Sequence, residues 1–254
     1  MLLSAREIAE ELIAGNLHIG ITGEDLLHDL SNTFDRDVHV MRRLGFGGAD
    51  VIVAVPASWL DVETMADLEA AGALFRQRHG RRMRVATKYL KLTRQFFAEK
   101  AVGEYRLIES PGATEAAPAA GTAEVIVDIT STGSTLKAND LKVLDDGVIL
   151  KSEASLVGAL RANWSSDALK TLAVFSGSIE ATASACELVR IESDCVIPES
   201  VIEAFALTPV SGQIALCGSK NASNAARTLA KVGAQTVTIA TINQVFSSDN
   251  AVLE

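Results

Sequence analysis

The sequence predicts an α/β protein, and three observations carry that prediction. Continuous apolar runs of strand length recur at 50–55 and 124–129, the pattern of strands covered on both faces. Stretches with helical character at 61–78 and 91–100 alternate with such strands, which means layered α/β packing. From about Ser176 onward a second, shorter alternation begins, which predicts a small separate C-terminal α/β unit over 176–254.

The elements follow in order. Ser4-Ala5-Arg6-Glu7 is a capping box, Ser4 accepting from the backbone of Glu7 and Glu7 reaching back, so a helix runs to about Gly15. Leu2 and Leu3 before it read as the end of a strand, which predicts that the first element of this lobe is incomplete. A strand is expected at 17–21. The run at 50–55 is stopped by Pro56 and belongs to a core sheet. Helix 61–78, strand 83–86, helix 91–100 and strand 105–108 come next, then the most apolar strand of all, 124–129. A helix begins near Leu136, a strand lies at 148–150 and a helix at 167–175. The C-terminal unit reads strand 186–191, helix 198–205, strand 213–217, helix 221–232, strand 236–240. Pro198 at a first turn and Gly233 just past a helix end obey the backbone rules for those positions. By analogy of element order alone this unit is ACT-like.

Composition narrows the function classes. With 32 acidic and 23 basic residues the net charge is −9, which disfavours general attraction to nucleic acid or an anionic membrane. An anionic substrate must therefore be held by a local site. Cys186, Cys195 and Cys217 are odd in number and form no Cys-x-x-Cys pair, so neither a disulfide framework nor a zinc site is indicated. His18, His28, His39 and His79 are scattered and make no metal-ligand pair at helical spacing. No apolar run reaches the ~20 residues that cross a bilayer, and the start lacks a signal-peptide layout. A reducing cytoplasm is the expected location.

The residues that carry chemistry cluster after the strand at 124–129. Thr130, Ser131, Thr132, Gly133, Ser134 and Thr135 bring five hydroxyls and a glycine to the start of a helix. Gly133 lets the backbone turn close to a ligand, successive N–H groups converge on phosphate oxygens, and the helix adds its positive dipole end. Read alone, the stretch is equally a Ser/Thr-rich helix cap. Asp128 favours the ligand reading. A carboxylate at the carboxyl end of an apolar strand sits where open α/β sheets bind ligands, and it suits ribose hydroxyls or a magnesium ion.

These residues resemble the signature of the ATP phosphoribosyltransferases: Glu115, five residues, Gly121, then Ala123, Ile126, Asp128-Ile129 and Thr132-Gly133-Ser134-Thr135-Leu136. Further similar segments, in the family's order, are Gly20-Ile21-Thr22-Gly23-Glu24-Asp25, Leu44-Gly45-Phe46-Gly47, Ala86-Thr87-Lys88-Tyr89 and Lys137-Ala138-Asn139. The resemblance covers roughly residues 3–155. It implies two lobes like those of periplasmic binding proteins, the first made of 1–43 and 126–165, the second of 44–125, with substrates in the cleft. It implies that Asp128 and Thr130 through Thr135 hold phosphoribosyl pyrophosphate (PRPP), that Asp128, Glu115 and Lys88 act at the reaction centre, and that Thr22, Gly23, Glu24, Asp25 and Thr87 line the cleft. Outside the resemblance Lys88 reads equally as a solvated lysine, Glu115 as a surface glutamate and Thr22 as a helix N-cap.

The implied reaction is displacement of pyrophosphate by ATP at the anomeric carbon, the first step of histidine biosynthesis. Its cofactor is Mg2+, held indirectly through Asp128. Histidine is the candidate feedback inhibitor, a homo-oligomer is expected, and no nucleic acid or membrane partner is. The family opens with a strand and a Lys-Gly-Arg turn ahead of the helix that here begins at Ala5, so the first lobe is expected to be N-terminally incomplete. Three alternatives stay open at this point: a non-catalytic ligand-binding protein of the same fold, a regulatory subunit that binds PRPP or another anion without turnover, and a purely structural or oligomer-forming role for the C-terminal unit.

Overall fold

The computed structural model of the chain describes residues 3–246; Leu2, read above as part of a strand end, lies outside them. Residues 1–163 and 164–254 form two compact units.

The first unit opens on α1 (Ala5–Ala14). Its capping box is formed, with Glu7 N donating to Ser4 Oγ at 3.3 Å and Ser4 N donating to Glu7 Oε2 at 2.7 Å. Gly15 ends the helix at φ 79°, a left-handed cap that glycine adopts without strain. After β1 (Ile19–Gly23) come α2 (Glu24–Leu30) and β2 (Val38–Arg43). With β8 (Ala154–Ala159) these strands form a three-stranded sheet in the order β1-β8-β2, antiparallel throughout.

The second sheet of this unit holds β3 (Ala49–Pro56), β4 (Met83–Thr87), β5 (Tyr105–Glu109), β6 (Val125–Thr130) and β7 (Leu141–Ser152), in the order β5-β4-β6-β3-β7. Helices α3 (Met65–His79), α4 (Leu90–Glu99) and the short α5 (Ser134–Ala138) connect them. The apolar runs divide with a period of two. Val51, Val53, Val55, Val125 and Val127 pack with Met65, Leu68, Phe96 and Phe97 of the helices, whereas Ile52, Ala54, Ala86 and Ile126 pack with Leu136 and Leu141. Each such buried valine, isoleucine, leucine, methionine or phenylalanine stabilises the packing by about 1.5–3 kcal/mol. The sequence expectation of a strand covered on both faces is met at β3 and β6.

Three expectations are corrected here. Residues 126–152 do not join 1–43: β6 pairs parallel with β4 and antiparallel with β3, and β7 pairs with β3, so both belong to the sheet of 49–109. Only β8 returns to the first sheet. Helix α3 starts at Met65 rather than 61, because Thr64 is its N-cap and closes a capping box with Asp67. The strand expected at 148–150 is the end of the twelve-residue β7.

The second unit begins with α6 (Ser166–Cys186), which runs through the expected boundary at Ser176 because its alanine-rich second half continues the helix. Then follow β9 (Leu188–Ser193), α7 (Glu199–Phe205), β10 (Thr208–Ser211), β11 (Ile214–Gly218), α8 (Ala222–Lys231) and β12 (Val237–Thr241). The sheet order β10-β11-β9-β12, antiparallel throughout, is that of a split β-α-β unit. Ile191, Ala215, Cys217, Ala225 and Leu229 form its core. The three cysteines are free. Among the described residues no helix is long and apolar enough to cross a membrane.

Candidate active site

β4 and β6 run parallel with Thr87 opposite Val127, so Lys88 and Asp128 emerge at the same level from adjacent carboxyl ends, where open α/β sheets gather ligands. Burial pushes the Asp128 carboxyl above its ordinary range; the N–H of Ile129, donating at 2.8 Å, and the charge of Lys88 oppose that, and the charge of Glu115 adds to it. Three residues expected at the reaction centre are thus brought together. Lys88 is exposed, its Nζ 5.1 Å from the Tyr89 ring centroid. Glu115 sits on a single 3-10 turn, Thr114–Ala116, anchored by Thr114 Oγ1 donating to Ser110 Oγ at 3.1 Å.

Directly after β6 the chain makes the small-residue loop. Gly133 has φ 70°, and a Cβ added there meets open space, so the glycine is required by backbone conformation and not by crowding. Thr130 is the shaping hydroxyl, its Oγ1 accepting from Gly133 N at 3.0 Å. Thr132 and Ser134 share a hydroxyl contact of 2.8 Å. The side chains of Ser131, Thr132, Ser134 and Thr135 are all exposed. Because α5 has only five residues, its dipole is small, and donor density is what the loop offers an anion.

A cavity of about 280 Å3 opens beside this loop, lined by Thr130 and Ser131 together with Arg43, Asp50, Lys151 and Ser152. The sequence does not point to Arg43 or Lys151: Arg43 ends β2, a strand without a clean alternation, and Lys151 lies in β7, which extends beyond the apolar run at 148–150. No local motif marks either.

The turn at 20–25 is built differently from expectation. Thr22 is buried and donates to Ala5 O at 2.7 Å, so it is not the N-cap of α2; that position is Gly23, which has no side chain to cap with. A side chain at Gly23 would collide with the Asp25 carboxylate. Glu24 accepts both Arg43 Nε at 2.7 Å and Arg43 Nη2 at 2.8 Å, plus Ser155 Oγ at 2.9 Å, and the Arg43 hydrogen bonds hold its carboxyl below the usual range. Asp25 accepts Tyr89 OH and Ser152 Oγ, each at 2.7 Å. Thr87 is fully buried and accepts from Tyr89 N at 2.9 Å. Thr22, Glu24, Asp25 and Thr87 therefore brace the walls of the site, with their polar atoms already engaged. Asp25 and Thr87 are engaged by Tyr89 and Ser152, Glu24 by Arg43 and Ser155, and Thr22 by the carbonyl of Ala5.

The family whose sequence pattern matches residues 4–181 is described as ATP phosphoribosyltransferase. The chain is 47% identical over 264 residues to the ATP phosphoribosyltransferase of Nitrobacter winogradskyi, covering 99% of this chain and 81% of the relative. It is 46% identical over 259 residues to that of Caulobacter vibrioides, covering 100% and 81%. Among solved structures it is similar to the ATP phosphoribosyl transferase complex from Thermotoga maritima, at 24% identity and a TM-score of 0.49, over 62% of this chain and 67% of that one. With a pattern match across most of the sequence and nearly half of the aligned residues identical to two such enzymes over 99–100% of this chain, this chain belongs to the ATP phosphoribosyltransferase family.

Proposed function

We propose that the chain joins ATP to PRPP, releasing phosphoribosyl-ATP and pyrophosphate, the first step of histidine biosynthesis, and that the loop from Thr130 to Thr135 is where PRPP binds. The observation that carries the site is the loop itself: exposed hydroxyls turned by a positive-φ glycine at the carboxyl end of a buried strand, next to Asp128. The adenine N1 lone pair forms the new bond to the anomeric carbon while the C–O bond breaks, its electron pair leaving with pyrophosphate. Such an oxocarbenium-like transition state asks for positioning and charge stabilisation more than for an activated nucleophile. The loop holds the 5′-phosphate, Asp128 faces the ribose, Lys88 meets a phosphate oxygen and Glu115 lies on the nucleotide side.

Among the described residues no three His, Cys, Asp or Glu side chains cluster as a metal cage. Mg2+ is characteristically held by one or two carboxylates together with substrate phosphates, and Asp128 is the carboxylate that would hold it indirectly. It would supply neutralising charge on the phosphates. The two sheets of residues 1–163 make the two lobes of the catalytic region. The second unit is read as the regulatory part, with histidine as its effector, in a cytoplasmic homo-oligomer.

The test uses Gly133→Val and Gly133→Ala. A non-glycine residue at φ 70° costs about 1–2 kcal/mol, and nothing else changes because the added Cβ meets no neighbour. PRPP affinity measured by calorimetry should fall roughly 5- to 30-fold in the alanine variant and further in the valine variant, with the melting temperature of the alanine variant lowered by no more than about 2–8 °C. Unchanged affinity in both would remove PRPP from this loop.

A further inference from the structure

At the opposite end of β4 from Lys88, roughly 16 Å away along the strand, lies a cavity of about 500 Å3. Its lining is Arg82, Arg94 and Arg106 with Tyr105, Val102 and Leu107, and it includes no acidic side chain. In a chain of net charge −9 that concentration of guanidinium is unexpected. Arg82 reaches Glu104 only at 3.6 Å, and Glu104 is already held by Arg76 at 2.7 Å. Among the described residues Arg94 and Arg106 have neither an ion-pair nor a hydrogen-bond partner. Three like charges around one cavity repel each other, a cost that a bound anion removes.

The cavity is also built on fixed elements. Arg106 and Tyr105 open β5, which is paired in register with β4 from Met83 opposite Tyr105. The Tyr105 ring packs edge-on against buried Phe97, with centroids 4.8 Å apart at 65°. The charge of Arg94 acts on the Tyr105 hydroxyl, which places that guanidinium and a potential donor on the same cavity. Arginine forks match phosphate oxygens two at a time, and the volume falls in the range of small-molecule sites. We infer that this cavity is a second anion site, separate from the Thr130–Thr135 loop, which takes a pyrophosphate-like group of two or more negative charges. Val102 and Leu107 give the rest of such a ligand an apolar wall.

Inorganic pyrophosphate, titrated calorimetrically into the full chain, is the probe. The unmodified protein should bind two equivalents, one at each site. Arg94→Gln together with Arg106→Gln should abolish one of them: each lost charge-assisted contact weakens binding about tenfold or more, so about a hundredfold together. Both arginines are exposed and without partners, so the melting temperature should hold. Gly133→Val should abolish the other equivalent. An isotherm unchanged by the double arginine replacement, or a single equivalent that Gly133→Val removes, overturns the second site. Loss with the arginines but not with Gly133→Val leaves it standing and counts only against the loop assignment.

Discussion

Replacing Tyr89 by phenylalanine isolates one buried link between the two sheets of the first unit. Tyr89 is 1% exposed, and its hydroxyl donates at 2.7 Å to Asp25, itself 5% exposed, while Ser152 Oγ occupies the other carboxylate oxygen. Asp25 lies in α2, which follows β1 of the three-stranded sheet; Tyr89 is the N-cap of α4, just past β4, and Ser152 ends β7, both strands of the five-stranded sheet. Phenylalanine keeps the ring in place and leaves one buried carboxylate oxygen without its donor. A hydrogen bond to a charged group contributes about 1.5–3 kcal/mol, so the melting temperature should fall by roughly 3–12 °C. The phenol's pKa is pushed well above its ordinary value, first by burial and then by the Asp25 charge, so the hydroxyl remains a donor and the loss should be the same from about pH 6 to 9. Urea unfolding of both proteins across that range measures it. With Ser152→Ala added, the two losses should not be additive, because both donors serve one carboxylate. A phenylalanine variant as stable as its parent would show that water or Ser152 satisfies Asp25 and that the link contributes nothing.

Two further predictions concern titrating carboxylates. Burial raises the Glu124 carboxyl, but hydrogen bonds from Arg84 and Arg81 outweigh it and bring the pKa down to about 2. A depressed value means stabilisation that is full above the ordinary value near 4.5 and lost as pH falls toward 2. The difference in urea midpoint between the parent and Glu124→Gln should therefore be constant above about pH 5 and narrow at pH 4 and 3; a difference independent of pH refutes it. Asp128 has the opposite sign, since burial raises its pKa and its ionised form costs folding stability at neutral pH. Asp128→Asn, without ligand, should be more stable than the parent at pH 7, with the gap closing as pH falls toward 3.8, while phosphoribosyl transfer is lost. A variant less stable at pH 7 would mean that the carboxylate is held by more than its surroundings suggest.

The parts of the fold legible in the sequence are those whose cause is local. β3 and β6 announce themselves because apolar runs buried on both faces need no partner to be recognised, and α1 because its capping box lies within four residues. β2 and β8 were not legible. β2 carries Arg42 and Arg43 at its end, and β8 mixes alanine, serine and glycine with Leu156 and Val157, so neither shows a clear period; their pairing with each other defines them. The same limit misplaced residues 126–152. Which sheet β6 joins depends on its hydrogen bonds to β3 and β4, not on its own composition.

The site divides along the same line. A glycine at positive φ among hydroxyl residues is a local device, so the loop at Thr130–Thr135 was visible, and Asp128 stood out as a charge at the end of an apolar strand. Thr22, Glu24, Asp25 and Thr87 are equally conspicuous in the chain, yet their polar atoms are taken by other residues. Asp25 meets Tyr89, 64 positions away, and Ser152, 127 positions away. A polar side chain near such a loop is free for a ligand only when nothing distant claims it, and that is decided by packing. The loop hydroxyls, whose partners lie within the loop itself, and the carboxylates behind it, held by distant residues, divide the labour: the first are free to turn to the anion proposed for the loop, while the second hold the walls beside it. A replacement in the first group should therefore change affinity with stability nearly constant, and one in the second should change stability first.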